Sequence, residues 1–99
     1  MLQHYVFIKY QETVSSEHVD AFCEKMLALK QLIPEIKRME IGQDILQDGR
    51  SWDLILIMEF ESLETLRAYQ THQEHQSLMQ FNNPFVAQVG SVDFEKPLS

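Results

Sequence analysis

The sequence contains few residues of several kinds on which whole classes of protein depend. Its 99 residues include one cysteine, three glycines and eight lysines or arginines, against fifteen aspartates or glutamates. The lone Cys23 has no partner for an intrachain disulfide, and the widely separated glycines form no phosphate-binding loop. The net charge of −7 argues against a nucleic-acid partner, because a phosphate backbone requires a clustered basic surface.

Long apolar runs are absent as well. The longest, Leu54 to Met58, is far shorter than the ~20 residues that a membrane-spanning helix needs. The first residues, Met1 to Tyr5, carry no basic segment of the kind that opens a secretory signal. We therefore expect a cytoplasmic protein with no membrane partner, since reducing conditions suit an unpaired cysteine and an acidic chain is repelled by anionic lipids.

The residues that are present alternate between strand-forming and helix-forming segments. Strands are predicted over residues 2–10, 36–44, 52–60 and 85–94, followed by a polar tail. One helix is capped by Ser15 or Ser16 and limited by Pro34, and a second is capped by Ser62. A short helical turn with His75, Leu78 and Met79 follows the second helix and is broken at Asn82-Asn83-Pro84. The order β-α-β-β-α-β is the ferredoxin-like α+β arrangement, a four-stranded antiparallel sheet in one domain over residues 1–99.

Three local features of the pattern are specific enough to check. The first helix should bury one stripe of side chains, including the cysteine, while Gly42 inside the second strand indicates a bulge or a close backbone approach. Asp48-Gly49 predicts a tight turn between the second and third strands. The predicted stripe comprises Val19, Phe22, Cys23, Met26, Leu27 and Ile33.

The two strands expected at the centre of the sheet are apolar on both faces. Residues 54–58 of the third strand are all apolar, and the first strand places Val6 and Ile8 on one face and Tyr5 and Phe7 on the other. Two helices can cover only one face, and a large uncovered apolar patch is rare on a monomer. A homodimer through the sheet face is the simplest solution; the tail or a lipid-like ligand are the alternatives.

A few polar side chains are candidates for chemistry. His4 shares a strand face with Val6 and Ile8, which directs it toward an interior or a cleft. Tyr69, His72 and His75 recur at three-residue intervals, with a break near Gln73 that would separate the two histidines in direction. The spacing and the lack of a completing ligand set argue against a metal, whereas a phenol and an imidazole suit acid–base catalysis.

Other polar and aromatic residues have simpler explanations. Cys23 on the apolar stripe of the first helix is expected to be a buried packing residue, and Trp52 either packs or lines a pocket. The serines at positions 15, 16 and 62 are helix caps. No pattern indicates a flavin, nicotinamide or haem site, so no cofactor is expected.

Short motifs recur in order over almost the whole chain. They are His4 with Val6-Phe7-Ile8-Lys9, Ile33-Pro34-Glu35-Ile36 with Glu40-x-Gly42, Trp52-Asp53-Leu54 leading into Phe60-Glu61-Ser62, Tyr69-x-x-His72-x-x-His75, and Val92-Asp93-Phe94. Together these motifs resemble the stress-responsive A/B barrel (Dabb) family. That resemblance implies a ferredoxin-like protomer and a two-fold dimer, a dimeric α+β barrel in which the two sheets face each other.

The resemblance also implies roles for individual residues. The essential tyrosine and histidine of a plant polyketide cyclase in that family correspond to Tyr69 and His75, and its first-strand histidine corresponds to His4. Two departures make the same substrate unexpected: a further pocket histidine is replaced by Leu54, and the usual proline between the last two histidines by Gln73. The candidate catalytic residues are thus His75, Tyr69 and His4, and the candidate ligand-binding residues are His72, Leu54 and Trp52.

Two functions are compatible with these residues. One is a homodimeric domain that binds a small apolar or carbonyl-containing molecule in a pocket between sheet and helices. The other is a cofactor-free acid–base cyclase or lyase with His75 as base and Tyr69 as the partner of a developing oxyanion. The sequence does not choose between them.

Overall fold

Four strands and three α-helices make up most of residues 1–97, the part of the chain that the computed structural model describes. Leu98 and Ser99, which end the predicted polar tail, lie outside the described residues. The elements are β1 (Leu2–Tyr10), α1 (Ser16–Leu32), β2 (Arg38–Gln43), β3 (Leu54–Phe60), α2 (Leu63–Thr71), α3 (Gln73–Asn82), a 3-10 turn (Asn83–Phe85) and β4 (Val86–Glu95).

The four strands form one antiparallel sheet in the order β2-β3-β1-β4. The predicted ferredoxin-like arrangement is therefore confirmed, with β1 and β3 at the centre. Both β2 and β3 begin two residues later than predicted. Ile36 is instead held in a turn by its amide, which donates to the Ile33 carbonyl, and Trp52 belongs to the preceding loop.

The helix boundaries follow from side-chain caps. The Ser15 hydroxyl accepts a hydrogen bond from the His18 amide (3.1 Å), which selects Ser15 over Ser16 as the first cap. Ser62 and Thr65 form a reciprocal capping box at the start of α2. His72 has extended backbone angles, so it ends α2 and starts α3. The predicted break in the Tyr-His-His string is present, one residue before Gln73.

The core lies between the helices and one face of the sheet. Phe22, Met26 and Ile33 are fully buried there, and Cys23 is buried beside them, as predicted. The prediction for Leu27 was wrong: it is half exposed, and Leu29 occupies the buried face instead. The 3.6-residue period places Leu29, three residues after Met26, on the same side of α1.

The connection between β2 and β3 is longer than the predicted tight turn. The strand ends meet where the Asp44 amide donates to the Asp53 carbonyl (2.9 Å), and the left-handed residue of the loop is Gln47 rather than Gly49. The Asp44 carboxylate accepts from the Gln47 amide (2.6 Å) and stabilises that conformation. A Cβ atom at Gly42 would lie 3.0 Å from Ile55 Cγ2, so this glycine marks a close approach and not a bulge.

The opposite face of the sheet is apolar at its centre. Along β3, side chains alternate between fully buried ones toward the helices and half-buried ones on the other side. Val92 is 52% exposed and Phe94 40% exposed on that side. The Lys96 amide donates to the Met1 carbonyl, so the described tail extends the β1–β4 pairing instead of crossing this face. We call it the open face; its apolar residues are Tyr5, Phe7, Ile55, Ile57, Val92 and Phe94.

Within residues 1–97, no helix is long and apolar enough to cross a membrane.

Candidate functional site

A cavity of about 130 Å³ lies between the helix-covered face of the sheet and helices α2 and α3. Most of its wall is apolar and comes from Val6, Ile8, Leu56, Met79, Val86 and Val89. Five polar residues also line it: His4, Tyr69, His75, Asn82 and Asn83. An apolar enclosure with a few inward polar groups is the usual form of a small-molecule site. The three residues singled out for catalysis are thus brought together.

Larger depressions exist on the surface of the protein, but they are less enclosed. One of about 410 Å³ lies between the start of α1 and the β2–β3 loop, and another of about 270 Å³ lies beside Phe7 and Trp52. Both are more open to solvent than the cavity beside His75. We therefore place the candidate site at the smaller cavity, where titratable groups and apolar walls coincide.

Tyr69 is only 2% exposed and sits at the centre of an aromatic cluster. Its ring centroid lies 4.4 Å from that of His75 and 5.2 Å from that of Phe60. Burial raises the pKa of the Tyr69 phenol well above its ordinary value. The phenol therefore stays protonated at neutral pH and is available as a hydrogen-bond donor.

His75 is held in one tautomer by the backbone. Its Nδ1 lies 3.0 Å from the Gln70 carbonyl oxygen, so Nδ1–H donates and Nε2 carries the lone pair. Burial lowers the pKa of His75, with a further lowering from nearby His4, against the opposing effect of the Gln70 carbonyl. The imidazole is consequently neutral at pH 7 and can accept a proton at Nε2.

His4 is paired with an aspartate from the far end of the chain. Its Nδ1 lies 2.5 Å from Asp93 Oδ1, because β1 and β4 pair with His4 opposite Asp93. The His4 ring meets that of Tyr69 edge to face at 6.4 Å. A carboxylate that accepts from one ring nitrogen fixes the orientation of an imidazole. Asp93 was not singled out from the sequence as a site residue; the antiparallel pairing of first and last strands is the signal that places it there.

The three candidate ligand-binding residues lie outside this cavity. Leu54 lines the two surface depressions, because the side chain that β3 contributes to the cavity is Leu56. Trp52 packs against Phe7 on the open face, with ring centroids 5.9 Å apart. His72 uses Nδ1 to accept from the Glu74 amide (3.1 Å), which caps α3.

Asn82 and Asn83 line the cavity but were interpreted from the sequence only as helix breakers. The asparagines have no spacing relation to the Tyr-His-His string, so no pattern indicated them. Residues 1–97 contain no group of three or more His, Cys, Asp or Glu side chains arranged to hold a metal ion.

The lowered pKa of His75 makes stability depend on pH. In the unfolded chain a histidine has its ordinary pKa of about 6.5, so as pH falls the unfolded state takes up a proton before the folded state does. The free energy of unfolding therefore decreases as pH drops below about 6.5, until the folded-state pKa is passed. Replacing His75 with glutamine removes this titration, so the melting temperature should depend less on pH.

Thermal melts followed by circular dichroism test this prediction. They should run from about pH 7.5 to about pH 5, a range that spans the ordinary pKa of histidine. The comparison of each protein with itself at the higher pH removes any constant effect of the substitution on packing. If the melting temperature changes equally with pH in the wild type and in His75→Gln, the pKa of His75 is not lowered in the folded protein.

Comparison with known proteins relates the chain to sequences and folds already described. The chain is 26% identical to olivetolic acid cyclase of Cannabis sativa, with 75% of each chain covered. A dimeric protein of unknown function with a ferredoxin-like fold from Bacteroides fragilis superposes with a TM-score of 0.86 at 27% identity, covering 96% of this chain and 95% of the other. Hydroxynitrile lyase from Passiflora edulis superposes with a TM-score of 0.84 at 15% identity, covering 94% and 90%.

The model of one family, the stress responsive A/B barrel domain (Dabb), matches residues 2–96. This range includes all four strands and all three α-helices of residues 1–97, together with His4, Tyr69, His75 and Asp93. The chain belongs to the stress-responsive A/B barrel family.

Proposed function

We propose that this Dabb domain acts as a homodimer and binds, in the cavity beside Tyr69 and His75, a small molecule with an apolar body and a carbonyl group. The observation that carries the proposal is the composition of that cavity. Apolar walls on the sheet and on α3 surround a protonated phenol whose hydroxyl makes no hydrogen bond to the described residues. This hydroxyl is not among the fully buried unpartnered atoms of residues 1–97, so it remains accessible, and an acceptor on a ligand would supply the partner that the protein does not.

The volume of the cavity limits the size of the ligand. An engineered protein cavity of ~150 Å³ binds benzene, so about 130 Å³ suits a molecule near the size of one six-membered ring. Burial of such a ring against Val6, Leu56 and Met79 would supply most of the affinity, and the polar groups would select the carbonyl.

The open face supports the homodimer. Six apolar side chains lie there side by side on β1, β3 and β4, and none of the described helices covers them. Leaving each such side chain exposed forgoes about 1.5–3 kcal/mol of burial. A second copy of the same face is self-complementary under a two-fold axis. The Bacteroides fragilis relative is described as dimeric, which agrees with this arrangement.

The cavity can be tested with a matched pair of ring compounds. Cyclohexanone and methylenecyclohexane have the same shape, but only the ketone accepts a hydrogen bond. In two-dimensional amide NMR titrations, cyclohexanone is expected to shift the signals of Tyr69, His75 and Met79. It should bind at least about fivefold more tightly than the hydrocarbon, since one net hydrogen bond is worth about that factor.

The same substitution at two positions shows where the ring compounds bind. Val6→Phe fills the cavity and should abolish the shifts, whereas Val19→Phe makes the same change beside the larger depression at the start of α1 and should leave them intact. The proposal is wrong if neither compound perturbs the cavity signals, or if Val19→Phe is the variant that removes binding.

A second function, acid–base catalysis, is supported by the contact between Tyr69 and His75. A neutral imidazole with a free Nε2 stands beside a protonated phenol in an apolar enclosure. Such a pair can remove a proton next to a carbonyl while the phenol donates to the developing oxyanion. Olivetolic acid cyclase and the Passiflora hydroxynitrile lyase show that relatives of this fold include enzymes.

A further inference from the structure

Asn82 is the most deeply buried polar residue of the cavity wall, at 1% exposure. Its Oδ1 accepts two hydrogen bonds, from the Tyr10 hydroxyl at 2.6 Å and from His18 Nε2 at 3.0 Å. Both donors come from outside the cavity, from the end of β1 and the first turn of α1. The amide oxygen is therefore fully used by the protein.

The amide nitrogen of Asn82 is in the opposite situation. It makes no hydrogen bond to residues 1–97, yet it is not sealed inside the protein: in that part of the chain, the only fully buried side-chain nitrogen or oxygen without a partner is Gln3 Oε1. The cavity beside Tyr69 is the space that Asn82 lines. Because the oxygen is held by groups outside the cavity, Nδ2 is the amide atom left to face the space that Asn82 lines.

We propose that Asn82 Nδ2 is a ligand-binding donor that acts with the Tyr69 hydroxyl on one carbonyl or enolate oxygen, and that Tyr10 and His18 are positioning residues that aim it. This inference rests on the proposed function and extends it, because it assigns a second donor and narrows the ligand. Two neutral donors suit a ketone, aldehyde or enolate oxygen.

The surroundings of Asn82 favour one orientation of its amide. An asparagine amide can turn over to exchange its oxygen and nitrogen, but here the Tyr10 hydroxyl and the His18 ring would both have to change from donor to acceptor. Burial raises the pKa of Tyr10 to about 12, so its hydroxyl keeps the proton that it donates. The His18 ring is packed between Phe81 and Phe85, with centroid distances of 4.6 Å and 4.1 Å, which holds Nε2 in place.

The tautomer of the His18 imidazole gives a direct test that needs no ligand. Because Nε2–H donates to Asn82 Oδ1, the neutral ring must carry its proton on Nε2. Nitrogen-15 NMR of the imidazole is expected to show the Nε2–H tautomer in the wild type. Finding the Nδ1–H tautomer would mean that the Asn82 amide is turned the other way, with its oxygen toward the cavity, and would overturn the inference even if ligands bind.

Ligand selectivity gives the second test, with cyclohexanone and methylenecyclohexane as probes. Asn82→Asp keeps the acceptor for Tyr10 and His18 but replaces the inward donor with an oxygen. We expect it to weaken cyclohexanone binding about fivefold while the affinity for methylenecyclohexane stays unchanged. Gln80→Glu makes the same amide-to-acid change at an exposed position on α3 and should alter neither affinity.

Tyr10→Phe keeps the inference testable if a buried aspartate prevents folding. Loss of the Tyr10 donor weakens the hold on the amide oxygen, so the preference for the ketone should fall to the part that Tyr69 supplies, with hydrocarbon binding retained. Equal losses for both probes would indicate general damage to the cavity and would contradict a positioning role. Wild-type protein that binds neither probe overturns the proposed function; wild-type selectivity retained in Asn82→Asp overturns only the role of Asn82.

Discussion

Replacing Phe7 with aspartate is expected to convert the protein from a dimer to a monomer. Phe7 lies on the central strand β1, on the open face, next to Ile55 of β3 and against the ring of Trp52. In a two-fold dimer each substitution occurs twice, so at least about 3 kcal/mol of apolar burial is lost. That loss corresponds to a dissociation constant raised by about 100-fold or more, before the cost of burying the charge is included.

Sedimentation velocity over a range of micromolar concentrations measures this change directly. Leu63→Asp is the matched control, because Leu63 is exposed at the start of α2, away from the open face, and an acidic residue is favourable there. Circular dichroism should show that both variants keep the secondary structure of the wild type. A wild-type protein that is monomeric throughout, or a Phe7→Asp variant that remains dimeric, would refute the sheet-to-sheet dimer.

Replacing His75 with glutamine is expected to slow the exchange of the α-protons of cyclohexanone for deuterium by about 100-fold or more, if the cavity is catalytic. General base catalysis by a positioned side chain typically contributes 10²–10⁴-fold. In the wild type, His75 Nε2 would take the α-proton, and the C–H electron pair would form the enolate, whose oxygen accepts from Tyr69. Exchange of the proton with D2O, followed by return of a deuteron to carbon, regenerates the ketone.

Proton NMR of cyclohexanone in D2O follows this exchange without knowledge of the natural substrate. Tyr69→Phe should also slow it, because the variant cannot stabilise the oxyanion, while Val19→Phe should not. The pH dependence of the exchange rate provides a further check. Because the pKa of His75 is lowered, its Nε2 stays unprotonated and active as a base below the ordinary histidine pKa of about 6.5. Binding of cyclohexanone without any acceleration of exchange would support a binding protein and exclude this catalytic role for His75.

The two experiments separate the parts of the proposed function. The proposed dimer uses the open face, and the proposed chemistry uses the cavity on the other side of the sheet. Phe7→Asp therefore tests assembly without touching a cavity residue, and His75→Gln tests chemistry without touching the open face. A monomer that retains cavity binding would show that a single protomer suffices to form the site.

Much of the fold could be predicted from local patterns in the sequence. The order of elements, the capping roles of Ser15 and Ser62, and the two central strands all follow from spacing within single segments. The β2–β3 connection could not, because Asp48-Gly49 forms a turn inside a longer loop whose ends are set by the pairing of Asp44 with Asp53. A turn signal indicates where the chain reverses but does not fix where the strands stop.

The cavity also combines features that local sequence patterns predict with features that they do not. The sequence placed Tyr69 and His75 in one Tyr-His-His string with a predicted break between the two histidines, and it made β1 and β3 apolar on both faces. Only the tertiary structure decided that Tyr69 and His75 meet across that break, that Asp93 pairs with His4, and that Asn82 lines the cavity. It also placed the candidate ligand-binding residues Leu54, Trp52 and His72 elsewhere. The physical reason is distance along the chain: local periodicity fixes contacts within a helix or strand, whereas strand register and helix packing fix contacts between residues dozens of positions apart.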